Sequence, residues 1–198
     1  MEKIKVVFLD IDGVLQSSGS RERFNVDRKV LVETLSKELK VDYSQYDEYD
    51  VAAVYHDWDK EAIATLKHIL DETGAKIVIS SDWRNIRKPN KMRDLLRIHG
   101  LDLYYLGDTL DLSYSSEIFR MTNYSREAIR TKEIEEYLLR NKELIEDYVA
   151  IDDMDLVRGG YVGNFINTHS LITKEQGEEC IAMLNMKQLK HNGLVKRR

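Results

Sequence analysis

Apolar residues in this chain alternate between short unbroken runs and longer stretches in which they recur every three or four positions. The first run, Ile4 to Leu9, has the length and composition of a buried strand. Val30, Leu31, Leu35 and Leu39 predict a helix over residues 30–39. Ala62, Ile63, Leu66, Ile69 and Leu70 follow the 3.6-residue period. Asp59 is placed to cap that helix and Gly74 to end it. Ala75 to Ile79 reads as a second buried strand, running into Ser80. Pro89, the only proline, breaks the chain ahead of a short helix at about 90–99, and Gly100 stops it. Leu101 to Leu106 predicts a strand, and residues 126–142 a helix with the stripe Ile134, Tyr137 and Leu138. Tyr148 to Ile151 is a strand ending in Asp152 and Asp153, and Asn164 to Thr168 the last strand. Thr173-Lys174-Glu175-Gln176 is a capping-box pattern that opens a C-terminal helix. Residues 13–26 are polar and predict a loop or flap. Residues 40–56, rich in tyrosine and aspartate, show no clear period and predict an irregular insert. Residues 107–124 are polar and predict a small lid.

Strands that alternate with helices indicate an α/β protein with a mostly parallel sheet. A chain of 198 residues supports one substantial core. No repeat, low-complexity tract or Gly/Ser linker divides it, so a single domain over 1–198 is expected, with small inserts at about 16–56 and 107–124. No apolar stretch approaches a membrane span, and Met-Glu-Lys-Ile-Lys lacks the layout of a signal peptide. Cys180 is the only cysteine, which excludes an intrachain disulfide and a cysteine zinc cluster. These features favour the cytoplasm and no membrane partner. The net charge of −5 argues against broad nucleic-acid binding, but the charge is uneven. Residues 84–97 hold Arg84, Arg87, Lys88, Lys91, Arg93 and Arg97 against Asp94 alone, and the tail ends Lys196-Arg197-Arg198. Such a segment is either a solvated helix face or a local patch for a polyanion.

The chemistry converges at strand ends. Asp10 and Asp12, one residue apart after the first strand, should emerge together, with Gly13 allowing a sharp turn. Adjacent carboxylates repel unless a cation or proton lies between them. In open parallel sheets ligands bind beyond the carboxyl ends of the strands. Asp10 and Asp12, Ser80, and Asp152 and Asp153 would meet at one such edge. Oxygen donors of this kind suit Mg²⁺, which binds through one or two carboxylates plus substrate phosphate oxygens. Arg130 lies one turn before Ile134, on the inward stripe, where a cation is unusual unless it meets a charge. Lys132 points about 200° away and is the alternative basic residue.

Asp10-Ile11-Asp12-Gly13-Val14-Leu15, Ser80, Arg130 and Asp152-Asp153 together resemble the four ordered motifs of the haloacid dehalogenase (HAD) superfamily of phosphohydrolases. The run Thr73 to Arg84, with Ser80-Ser81-Asp82-Trp83-Arg84, resembles more closely HAD domains of bacterial and phage proteins, some associated with RNA-repair modules. Arg130-Thr131-Lys132-Glu133-Ile134 fits the same subgroup. The resemblance implies a Rossmann-like three-layer fold with a small or absent cap and a Mg²⁺-dependent phosphatase. Asp10 would be the nucleophile and Asp12 the acid/base. The metal would be held by Asp10, the Asp12 carbonyl and an acid of the Asp152–Asp153 pair, with Asp155 a spare acid. Ser80 would bond a phosphoryl oxygen, and Arg130 or Lys132 would offset transition-state charge. Ser81, Trp83 and Arg84 are further candidates for the substrate. An indole and a guanidinium at a cleft rim could stack on a base or grip a second phosphate, or Trp83 could pack over the sheet edge. The expected substrate is a nucleotide, a nucleic-acid end or a small phosphorylated metabolite. The rival readings are a non-catalytic HAD-like module and a phosphotransferase or mutase. Retention of both Asp10 and Asp12 favours chemistry over binding alone.

Overall fold

The computed structural model describes residues 3–84, 88, 90–113 and 125–186. Five strands form one sheet: β1 (Ile4–Leu9), β2 (Lys76–Ile79), β3 (Tyr105–Asp108), β4 (Ile145–Asp152) and β5 (Phe165–Asn167). Their order is β3-β2-β1-β4-β5, and every pairing is parallel. The apolar first run therefore becomes the central strand, buried on both faces as a parallel sheet requires.

Side chains alternate across the sheet. Val7, Leu9, Ile77, Ile79, Val149 and Ile151 face one core. That core is covered by α1 (Arg28–Leu39), α2 (Glu48–His56), α3 (Lys60–Thr73), α4 (Lys91–Arg97) and α6 (Lys174–Leu184). Val6, Phe8, Val78 and Ala150 face the other, smaller core, where α5 (Arg126–Arg140) contributes Ile134. This parity fixes the site. Continued past the strand, Asp10 takes the side of Val6 and Phe8, and Asp152 that of Ala150, so both face α5.

Local signals set several boundaries as the sequence predicts. Asp59 accepts from the amides of Glu61 and Ala62 at 2.9 Å, and Gly74 ends α3 at φ +68°. The Thr173–Gln176 capping box is formed in both directions. Three expectations are corrected. Residues 40–56 are not an irregular insert. They form a 3₁₀ turn (Tyr43–Gln45) and α2, with Tyr43, Val51, Ala52, Ala53 and Val54 fully buried. The missing period reflects a helix buried over much of its circumference, which needs no polar face. The strand expected over Leu101–Leu106 starts later: Leu101 is buried, residues Asp102–Tyr104 form a 3₁₀ turn, and β3 begins at Tyr105. The third follows from it, since residues 107 and 108 belong to β3 rather than to a lid. Of the expected lid, residues 114–124 lie outside the described residues, as do Arg87 and the basic tail.

Tyr43 anchors the 3₁₀ turn between α1 and α2 to α4, its hydroxyl donating to the Asp94 carbonyl at 2.7 Å. Tyr43→Ala should lower unfolding free energy in urea by about 3–5 kcal/mol, the usual cost of removing a buried aromatic. Tyr43→Phe should cost only about 1 kcal/mol, for one hydrogen bond. A loss near zero for Tyr43→Ala would return this segment to the status of a loose insert.

Candidate active site

Parallel pairing of β1 with β4, in the register Phe8↔Ala150 and Leu9↔Ile151, brings their carboxyl ends side by side. The Asp10 amide donates to the Ile151 carbonyl at 3.0 Å, which extends the ladder one step into the motif. Gly13 then turns the chain at φ +78°. Any Cβ there would lie 2.5 Å from the Asp153 side chain, so a glycine is what lets the two acid-bearing loops approach. The Thr168 hydroxyl donates to the Gly13 carbonyl at 2.6 Å and holds the turn from the β5 side.

Asp10, Asp152 and Asp153 each offer a carboxylate oxygen within 4.8 Å of the others. Asp10 and Asp152 are buried, and Asp153 is exposed at the cleft. Burial raises the Asp10 carboxyl above its ordinary range, against the pull of Arg130 and a hydrogen bond from Ser81. Burial, and then the charge of Asp10, push Asp152 up to about 7. Burial raises Asp153 as well, with the charge of Asp12 acting in the same direction. Three carboxyls raised together form a site whose ionised state lacks enough positive charge.

Arg130 supplies part of that charge. It lies on the inward face of α5, whose start is capped by the Ser125 hydroxyl. Its Nη1 donates to Asp10 Oδ1 at 3.0 Å and to Asp152 Oδ2 at 2.9 Å. Its Nη2 reaches Asp82 Oδ1 at 3.3 Å. Burial works against the guanidinium charge, but Asp10 and Asp152 hold it above even the usual arginine range. Arg130 lines the cleft and Lys132 does not, so the structure brings together the first of the two basic candidates.

The donor set fits a divalent cation. All three groups are hard carboxylate oxygens, the kind Mg²⁺ takes, and their mutual repulsion is only partly relieved by one guanidinium. Asp12 stands apart from this group. It is exposed, and its carboxylate accepts from the Gln16 amide at 2.9 Å and from the Trp83 indole N–H at 2.8 Å. Asp155 is exposed and accepts from the Arg158 amide, outside the acid group.

The segment after β2 is arranged differently from the sequence expectation. Ser80 is buried, and its hydroxyl has no partner among the described residues and does not line the cleft. Ser81 lines the cleft beside Asp10, so the hydroxyl at the cleft is the next one along. Arg84 does not stand at the rim. Its side chain is buried, donating to the Ser81 carbonyl at 2.9 Å and pairing with Glu133 at 2.6 Å. Trp83 packs against the larger core and meets Trp58 edge-on at 6.0 Å, while its N–H is given to Asp12.

Glu133, Asp82 and Gln16 were missed by sequence reasoning. Glu133 is almost fully buried, accepts from the Leu112 amide at 2.9 Å and lies 3.7 Å from Arg130 Nε. A signal for it existed: it follows Arg130 by three residues, hence on the same inward face. Asp82, an acid inside the Ser80–Arg84 run, pairs with both Arg126 and Arg130. Gln16 carries no sequence signal, since it acts through the turn that Gly13 makes.

Comparison with known proteins places this geometry in a family. The HAD domain of the effector protein Lem4 from Legionella pneumophila is similar in structure, with a TM-score of 0.43 and 16% identity over 96% of this chain and 95% of that one. No curated protein matches the sequence. Residues 6–175 match the family model described as the HAD domain in Swiss Army Knife RNA repair proteins, a span that contains all four motifs. The chain belongs to this HAD family.

Proposed function

We propose that the chain is a Mg²⁺-dependent phosphomonoester phosphatase working through an aspartyl-phosphate on Asp10. The observation that carries this reading is the placement of Asp10 beside Asp152, Asp153 and Arg130, with Asp12 outside that cluster at the cleft. Asp10, Asp152 and Asp153 are the residues that would hold the cation, which when bound would offset the charge of the phosphoryl oxygens.

In the first half-reaction an Asp10 carboxylate oxygen attacks phosphorus. The bond from phosphorus to the leaving oxygen breaks, and that oxygen takes a proton from Asp12. In the second, Asp12 accepts a proton from water, whose oxygen attacks phosphorus and releases Asp10 and inorganic phosphate. Arg130 holds Asp10 in line and meets developing charge, and Ser81 donates to a phosphoryl oxygen. Water is the acceptor in this reading, which separates it from a transferase.

For the substrate we propose a nucleotide or a phosphorylated nucleic-acid end. The support is the family description, which concerns RNA repair proteins. The basic segment 84–97 adds little. Lys91 pairs with Asp50, Arg97 with Asp102 and Arg84 with Glu133, while Arg93 lies over the Tyr105 ring.

With Mg²⁺, the wild-type protein should release phosphate from p-nitrophenyl phosphate and from 3′- or 5′-phosphorylated oligonucleotides. Asp10→Asn should lower the rate at least about 10³-fold, the scale of losing a nucleophile. Undiminished turnover in Asp10→Asn, or none in the wild type on any ester, would end the reading. Turnover that oligonucleotides fail to inhibit would end the nucleic-acid part alone.

A second expectation concerns pH without divalent metal. Asp152 is raised from 3.8 to about 7 in the folded chain. A raised carboxyl stabilises the fold fully below its unfolded value, and that contribution is lost as pH climbs through the folded value. The metal-free melting temperature should therefore fall between about pH 4 and about pH 7. Mg²⁺ should raise it more at about pH 8 than at about pH 5, because ionised acids bind the cation. Asp152→Asn should shrink both effects in thermal melts. An equal Mg²⁺ effect at both pH values would contradict the assignment of these acids as its ligands.

A further inference from the structure

We propose that Trp83 is a positioning residue, whose indole N–H fixes the Asp12 carboxylate in the orientation from which Asp12 passes its proton. This rests on the reading of Asp12 as the acid/base. It assigns Trp83 a role different from a stacking surface for a base.

Asp12 is exposed and lies beyond β1, bridged to Gln16 across the turn at Gly13. An exposed aspartate side chain turns freely about its two torsions unless something holds it. Here both oxygens are held, each by a donor from a different segment. Gln16 donates to Oδ1 at 2.9 Å, from the turn that Asp12 itself begins. Trp83 donates to Oδ2 at 2.8 Å, from the loop after β2. The indole is a stiff donor. It has one N–H, no acceptor to exchange with it, and a ring wedged by its neighbours. Trp58 meets it edge-on at 6.0 Å, the Lys91 ammonium lies 5.9 Å from its ring centre, and the ring packs against the larger core. Trp58 is itself fixed, stacked on His99 at 5.6 Å with the rings 18° from parallel.

The arrangement leaves the chemistry open. Each carboxylate oxygen has two lone pairs. A protonated Oδ2 can still accept from the indole while its own proton points to the leaving oxygen. The same N–H then holds the ionised carboxylate when it must accept a proton from water. A donor that serves both protonation states acts on orientation, and the gain of orientation is a gain in rate.

Loss of the donor should be felt most where the acid matters most. Alkyl phosphates have poor leaving oxygens that need a proton, whereas p-nitrophenolate leaves without one. The ratio kcat/KM reports steps up to departure of the leaving group, so it isolates the acid role. Trp83→Phe keeps the aromatic packing and removes the N–H. It should lower kcat/KM about tenfold for an alkyl phosphate and less than about twofold for p-nitrophenyl phosphate, part of the range that a general acid supplies. A stacking role predicts the reverse, with the aryl ester suffering more. Equal losses on both esters, no loss, or a larger aryl loss would overturn the proposal while leaving the phosphatase reading in place. A wild type inactive on every ester would remove both.

A spectroscopic arm does not depend on Trp83→Phe folding well. The chain has two tryptophans, hence two indole N–H resonances in a ¹⁵N-labelled sample. Asp12→Ala, an exposed substitution, should move the Trp83 resonance upfield through loss of its carboxylate acceptor and leave that of Trp58 nearly still. An unmoved Trp83 resonance would overturn the proposal.

Discussion

Repulsion among the carboxylates at the end of β1 and β4 is the constraint around which the site is organised. The sheet itself creates it. The register of the two central strands leaves no choice about where Asp10 and Asp152 fall once Phe8 pairs Ala150 and Leu9 pairs Ile151. The side-chain alternation that buries Val6 and Phe8 against α5 also turns Asp10 toward it. Core packing thus forces charges together, and Arg130 is the group that makes this tolerable. One guanidinium touches Asp10, Asp152 and Asp82 and lies near Glu133. Glu133 is in turn shared with Arg84. Burial raises Asp10, Asp152 and Asp153, their mutual repulsion adds to it, and the one guanidinium that meets them does not offset the two.

The readable part of this design was the part written in runs and periods. The apolar strand leading into Asp10, the strand leading into Asp152 and the inward stripe holding Arg130 are local signals, and each led to the observed element. The failures share a cause. Tyr43 to Val54 shows no amphipathic period because its buried residues come as a turn residue and one unbroken run, Val51 to Val54, whereas periodicity detects a helix with one wet face. Leu101 looked like the start of a strand because it is buried, but it is buried as the end of a helical connection. Ser80 and Ser81 differ by one position, and which hydroxyl faces the cleft depends on how the chain leaves β2. Composition does not encode that. Arg84 read as a rim cation because its partner, Glu133, is distant in sequence.

Charge pairing also changes what the basic segment means. Read linearly, residues 84–97 suggest a polyanion patch. In three dimensions Lys91, Arg97 and Arg84 meet Asp50, Asp102 and Glu133, which belong to other elements. Their charges tie α4 and the loop after β2 to the rest of the fold. In the proposed reaction, recognition of a phosphorylated ligand would therefore fall to groups lining the cleft itself, with Arg126 at the exposed rim and already drawn to Asp82.

The two aspartates of the first motif show how one turn separates two kinds of surroundings. Asp10 is nine-tenths buried, faces α5 and shares a guanidinium with Asp152. Asp12, two residues later, is exposed and is held by neutral donors, an amide and an indole. A group that must attack phosphorus benefits from being fixed against a cation. A group that must gain and lose a proton benefits from donors that tolerate either state. Gly13 makes the difference possible, since its positive φ carries the chain away from the strand direction immediately after Asp12, and its missing Cβ leaves room for Asp153. In the proposed reaction the motif is thus a strand, a nucleophile, a proton-transfer group and a turn, and the spacing of one residue between the acids is the distance over which their surroundings change.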